Sequence, residues 1–260
     1  MRRFRFTVAV GCALAASSGA SALAQVDHAA RSLSALELAV ACAPPAAMGG
    51  EPAHAMRVIG VQDSAPRQLY GSRELLIVDA GTRSGVQLGQ EFFLRRQSHY
   101  GMAYSRRSSK SQSQGVETAG WIRIVAVNES TAIALVEHAC GGIMADDYLE
   151  PFAAPTVPAG ADRDDATGEP DFKTLGRVVA GSEDRSAGAA GDFMLIDRGS
   201  AQGVVPGARF AVYRDVNRPG LPLAAIGEVV VISTGPETAL TRITSARGAV
   251  LSGDYVARRR

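Results

Sequence analysis

An all-β fold built from two tandem, repeated small β-barrels is what this chain predicts, on three observations. One stretch occurs twice: Ile77–Arg96 (IVDAGTRSGVQLGQEFFLRR) and Leu195–Arg214 (LIDRGSAQGVVPGARFAVYR) align without a gap. They share Asp79 with Asp197, Gly81 with Gly199, Gly85 with Gly203, Val86 with Val204, Gly89 with Gly207, Phe92 with Phe210 and Arg96 with Arg214. Each copy reads as an apolar run (Leu75–Val78; Phe193–Ile196), a glycine-punctuated loop and a second run (Glu91–Arg95; Arg209–Tyr213), which is a strand–turn–strand signal. The pairing then continues, Gly120–Pro151 against Gly227–Arg258, and a weaker match sets Arg57-Val58-Ile59 against Arg177-Val178-Val179. Each repeat therefore offers about six short strands with turns close together, which favours a closed or nearly closed small barrel of the SH3-like kind.

The loop glycines are assigned to turns. Gly81, Gly85 and Gly89, with Gly199, Gly203 and Gly207, stand four apart, and a chain that turns repeatedly through φ > 0 needs glycine to do so without steric cost. Val205-Pro206-Gly207-Ala208 fits a type II turn. A phosphate-binding glycine loop would instead run into a helix as G-x-G-x-x-G or end in Lys-Ser/Thr, and neither occurs here.

In chain order, residues 1–24 read as a signal peptide. Arg2, Arg3 and Arg5 precede an apolar run, Phe6–Ala16, too short to span a bilayer, and Ala22-Leu23-Ala24 is a small-residue cleavage site. A lipoprotein signal at Cys12 is disfavoured because Ala9-Val10-Gly11 lacks the usual Leu. Loss of the three arginines would leave 24 basic against 26 acidic side chains, a balance that argues against nucleic acid as partner. No later run reaches the length of a membrane-spanning helix, so no transmembrane segment is expected after cleavage and the chain should be periplasmic or secreted.

Residues 25–55 form an Ala-rich N-terminal extension. A short helix is expected in it, capped by Asp27, running to about Ala41, with Leu33, Leu36, Leu38 and Val40 as its apolar residues and Pro44-Pro45 as its stop. The first barrel repeat spans 56–152. Its distinctive feature is the insert Gln97–Ala119, eleven residues longer than the matching Asp215–Ile226, polar and carrying Arg106, Arg107 and Lys110. It reads either as a solvated hairpin tip or as a basic finger for an anionic polymer. Residues 153–171, rich in Pro, Gly and Asp, read as the linker, and the second barrel repeat spans 172–260.

The strand period of two places Phe92 and Leu94, Phe210 and Val212, and Ile122, Ile124 and Ala126 inward. Trp121 then falls on an outer face, to pack between the barrels or to meet a ligand or partner.

His28, His54, His99 and His138 are scattered, without metal-ligand spacing, and there is no G-x-S-x-G elbow. The repeated carboxylates Asp79 and Asp197, and Asp147 and Asp254, are read as turn residues. No catalytic residue, cofactor site or metal site is assigned. Signal cleavage would remove Cys12 and leave Cys42 and Cys140, an even pair in an exported chain, read as a disulfide; two separately buried thiols are the competing reading.

The second repeat, with Asp197, Gly199, Gly203, Val204, Pro206, Gly207, Phe210, Val212, Tyr213, Arg214, Gly227, Glu228, Gly253 and Asp254, resembles a small β-barrel domain of bacterial envelope proteins. It is similar to the C-terminal domain of flagellar assembly protein T and to the module that follows LysM domains in peptidoglycan-associated proteins. The first repeat departs from that pattern at Leu88, Arg95 and Trp121. The resemblance implies an envelope scaffold or interaction module. The functional expectation is therefore a non-catalytic exported envelope protein that contacts other envelope proteins. Direct binding of cell-wall glycan or another anionic polymer through Arg106, Arg107, Lys110 and Trp121 is the alternative, and a hydrolase with an unrecognised site ranks third.

Overall fold

The computed structural model describes residues 32–47, 51–63, 67–100, 113–216 and 218–260; the expected signal segment, Asp27 and the cationic Arg106, Arg107 and Lys110 lie outside these. The protein is all-β, with one short helix, α1 (Ala35–Cys42). The first half forms a six-stranded antiparallel sheet of β1 (Val58–Val61), β2 (Leu75–Val78), β3 (Glu91–Tyr100), β4 (Ser113–Val127), β5 (Ala132–Ala139) and β6 (Tyr148–Pro151), in the order β1-β2-β5-β4-β3-β6. Its two edges come together through backbone bonds: Val58 N–H to Asp147 O (3.0 Å), Asp146 N–H to Val58 O (2.8 Å) and Leu149 N–H to Met56 O (2.8 Å). The sheet is rolled into a nearly closed barrel, which leaves little unpaired edge.

The second half continues with β7 (Pro170–Gly181), β8 (Ala187–Gly188), β9 (Phe193–Ile196), β10 (Arg209–Arg214), β11 (Ala224–Thr234), β12 (Ala239–Ala246), β13 (Val250–Leu251) and β14 (Tyr255–Arg259). Here the barrel closes fully in the order β10-β11-β12-β9-β7-β14, and β8 with β13 makes a two-stranded ribbon beside it. Matched positions in the two halves make matched bonds. Val178 N–H donates to Asp254 O (2.9 Å) as Val58 does to Asp147, and Asp79 and Asp197 each accept a 2.6 Å bond at Oδ1 from the N–H of Arg57 and Arg177. The register shifts also correspond: one falls between Ile124 and Ala126 in β4, another between Val231 and Ser233 in β11.

Phe92, Leu94, Ile122 and Ile124 enter the first core with Leu76, Val78 and Val136, while Phe210 and Val212 enter the second with Met194 and Val231. Ala126 does not point inward. Val125 is the extra residue of a β-bulge, so the alternation slips by one there, Ala126 is exposed and Val127 packs on the core instead.

In the repeated loop, Gly85, Gly89, Gly203 and Gly207 take φ of 79°, 82°, 72° and 86°, and Ala208 N–H closes the Val205–Ala208 turn on Val205 O at 3.1 Å. Gly81 and Gly199 have extended backbone and meet a different demand. A Cβ there would run into the Asn128–Glu129 and Gly235–Pro236 backbones, where the opposite hairpin crosses the loop.

Helix α1 starts later than the sequence led us to expect. Ser34, extended at φ −62° and ψ 162°, is the N-cap; its Oγ accepts from Glu37 N–H while the Glu37 carboxylate accepts from Ser34 N–H. This reciprocal capping box ends the helix on its N-terminal side, so Asp27 cannot cap it. The segment read as a linker is packed rather than free of contacts. Ala161 is buried, Arg209 donates to the Gly160 and Arg163 carbonyls at 3.0 Å, and β7 begins at Pro170, inside the expected linker. No helix among the described residues is long and apolar enough to cross a membrane.

Candidate functional site

The repeated charges are spent on the fold. Arg96 grips Asp147 with a two-pronged contact, Nε to Oδ1 and Nη2 to Oδ2, both 2.7 Å, and also donates to Gly142 O. Arg214 makes the same pair with Asp254, both prongs 2.7 Å, and donates to Ala249 O. The second oxygen of each carboxylate also takes a backbone N–H, from Met144 and Leu251. Both carboxylates are buried, and burial pushes the Asp147 carboxyl above its ordinary value against the pull of Arg96. The sequence named all four residues as repeated without joining them, because the partners lie 51 and 40 positions apart.

What the structure assembles instead lies around residues 33–47, which fill the joint between the two barrels. One face of α1 turns to the first barrel: Leu33, Leu38, Ala41 and Cys42 pack with Phe93, Trp121, Cys140 and Phe152. The other face turns to the second: Leu36, Val40, Ala43 and Ala46 pack with Val179, Phe193, Leu195, Val230, Ile232 and Leu240. Two threonine hydroxyls, one from each barrel, hold the strand-like exit of this wedge. Thr118 Oγ1 donates to Ala43 O at 2.9 Å, and Thr238 Oγ1 donates to Ala46 O. Both hydroxyls are buried, where an unmade bond would cost about 1–3 kcal/mol.

Cys42 and Cys140, 98 positions apart in the chain, are joined by a disulfide, with Cα atoms 5.3 Å apart. Trp121 faces outward from its own barrel, as the strand period required, but it is only 8% exposed. It is not open to a ligand, because α1, seated between the barrels, covers it: it stacks on His138 (centroids 4.8 Å, planes 24° apart) and leans on Phe152 (5.6 Å) and Phe93 (6.5 Å). Beside Phe93 the Arg95 guanidinium lies 4.2 Å above the ring and bonds Thr118 Oγ1 and Glu150; burial draws it down from its ordinary value.

A cleft of about 440 Å³ opens between the barrels beside this cluster. The disulfide, Arg96 and Glu117 line one wall, and Glu183, Arg185 and Asp192 stand on the other. Cys42 and Cys140, which line it, and His138 bring potential metal-donor atoms within 4.8 Å of one another. Sequence reasoning had left His138 among scattered histidines. The signal that could have found it is His-x-Cys at the end of a strand, since residues two apart in extended chain share a face. Among the described residues, then, the predicted positions Cys42, Cys140 and Trp121 converge on one site, while of the six loop glycines Gly85, Gly89, Gly203 and Gly207 serve the turns elsewhere and Gly81 and Gly199 the close crossing of the opposite hairpin.

No protein-family model matches this chain, and neither does any curated protein.

Proposed function

We propose that this chain is a non-catalytic scaffold or protein-interaction module of the bacterial cell envelope, exported by its N-terminal segment, in which two small barrels are locked into one body to present a composite surface to protein partners. The observation that carries this reading is the wedge. Residues 33–47 are anchored by a disulfide and a hydroxyl to the first barrel and by a hydroxyl and an apolar face to the second. A segment that contributes one face to each core fixes the angle between them, which is what a surface made from both barrels requires. Disulfide stapling of small β-domains is characteristic of chains that mature in oxidising compartments. On the second barrel large apolar side chains stand in solvent: Phe172, tilted against Tyr213 at 5.0 Å, is 52% exposed, and Leu221 on the β10–β11 connection is 56% exposed. Contiguous apolar patches left in water mark docking surfaces, and these two side chains are where such a patch is sought.

The test is capture from envelope extract on the immobilised oxidised protein, with Phe172→Ser and Leu221→Ser as paired variants of unchanged fold. The proposal expects a protein retained by the wild type and lost by the double variant. Retention of purified peptidoglycan or an anionic polymer, fading as salt rises and abolished by Arg106, Arg107 and Lys110 changed to Gln, would replace it with the polymer-binding alternative.

A further inference from the structure

We infer that Cys42, His138 and Cys140 form, when the disulfide is open, a three-ligand site for a thiophilic closed-shell cation, with zinc(II) as the ion of choice. The wedge would then have two interchangeable fasteners, a covalent bond and a metal.

The geometry for this is already built. His138, in β5, and Cys140, just past its end, lie two residues apart and bring their donor atoms together where the last residue of α1, Cys42, comes down on them. Their donor atoms fall within 4.8 Å of one another. In tetrahedral zinc, with Zn–S about 2.3 Å and Zn–N about 2.0 Å, neighbouring donors stand about 3.3–3.8 Å apart. Side-chain rotation of the two freed thiolates reaches that spacing without moving the strand, whose place at Cys140 is set by the 2.9 Å bond from its N–H to Ala119 O. The imidazole is oriented in advance by its stack on Trp121, itself pinned by Phe93 and Phe152. A fourth position faces the cleft, which both cysteines line, so water can complete the tetrahedron and a reductant can reach the sulfurs. At the aligned positions the second repeat has Ser245 for His138 and Arg247 for Cys140, so both strand-borne donors belong to the first barrel alone.

The chemistry balances with a protein dithiol as co-reactant. Its thiolate attacks one sulfur of the Cys42–Cys140 bond to give a mixed disulfide; its second thiolate then closes its own disulfide and releases two cysteine thiols, so that the two electrons come from the dithiol. Zinc(II) displaces the two thiol protons to solvent. Two thiolates and one neutral imidazole leave the site with no net charge, which suits a half-buried position. Oxidation of the two thiolates by a disulfide oxidant reverses the sequence and ejects the ion, so metal and disulfide exclude each other.

The test uses the purified chain, reduced and then freed of reductant and chelator under anaerobic conditions. Zinc is titrated against a chromophoric chelator while the fluorescence of Trp121, the single tryptophan, and the melting temperature are followed. Cobalt(II) serves as the spectroscopic probe for thiolate ligation. We expect one equivalent bound to the reduced chain, a thiolate-to-cobalt charge-transfer band, a change in Trp121 emission and recovery of the melting temperature lost on reduction. The oxidised chain should bind none. His138→Ala leaves the disulfide intact, so its oxidised form reports folding; its reduced form should lose at least the about 10-fold in zinc affinity that even an outer-shell partner is worth. Binding by the oxidised chain, no binding by the reduced chain, or equal affinity in reduced His138→Ala would each overturn the assignment.

Discussion

Replacing Cys42 and Cys140 together by Ser isolates what the disulfide contributes, since neither a lone thiol nor a metal-binding pair remains. The bond joins residues 98 positions apart. In the chain-entropy account, a loop of that length restricts the unfolded ensemble by about 4.7 kcal/mol at 25 °C, with native disulfides of small secreted domains measured at about 2–5 kcal/mol. For a chain of this size each 1 kcal/mol moves the melting temperature by about 2–4 °C, so the double variant should melt roughly 10–18 °C below the oxidised wild type. The assay is thermal unfolding followed by circular dichroism, paired with peptide mapping of the denatured, unreduced wild type, in which the Cys42 and Cys140 peptides must appear cross-linked. The entropy account adds that the loss acts on the unfolded chain, so packing of Trp121 under α1 should survive in the variant at low temperature. A double variant that melts within about 2 °C of wild type would refute the reasoning, since less than about 1 kcal/mol would then separate a tied wedge from an untied one.

Three further outcomes are expected. Asp254→Ala leaves the Arg214 fork and the Leu251 N–H without their acceptor; because Arg214 keeps 30% exposure, the loss should be about 2 kcal/mol, below the 3–5 kcal/mol of a fully buried pair, read by urea unfolding. Gly203→Val forces a β-branched side chain to φ 72° and should cost more than about 1 kcal/mol, whereas an unchanged melting temperature would count against the role given to that turn. The Asp171 carboxyl is held below its ordinary value by the Lys173 N–H first and the Arg260 guanidinium after it, so its contribution is complete above the ordinary carboxylate value near 3.8 and is lost as pH falls through the lower folded value. The melting-temperature advantage of wild type over Asp171→Asn should accordingly be present at pH 6 and shrink below pH of about 3.8.

Much of the fold was legible because it is written in local pattern. Asp-x-Gly at the end of an apolar run, glycines four apart and alternating Phe92 and Leu94 are properties of neighbouring residues, and they led directly to two barrels. The second barrel's outer face was legible too, in retrospect. Val229-Val230-Val231-Ile232 is apolar at every position, where Ile122-Arg123-Ile124 alternates, and an unbroken run marks a strand covered on both sides. What was not legible depended on partners far apart in sequence. Trp121 could be placed on an outer face from the strand period, but that α1 covers that face is a property of packing. Ala126 was misplaced because a bulge leaves no sign in a run of small apolar residues. The Ser34-x-x-Glu37 box is a local signal too, and it outweighs Asp27 as the start of α1.

The wedge has a consequence for the order in which the molecule is finished. Its contacts are to residues as distant as Thr238, 192 positions further along the chain. The wedge thus waits, with its apolar faces unsatisfied, until Thr238 has been synthesised and both barrels have rolled up. Contacts at such separation are entropically the last to be repaid. The wedge is made before the second barrel that completes its seat, so the interval between its synthesis and the arrival of Thr238 is when this protein is most open to proteases and holding chaperones.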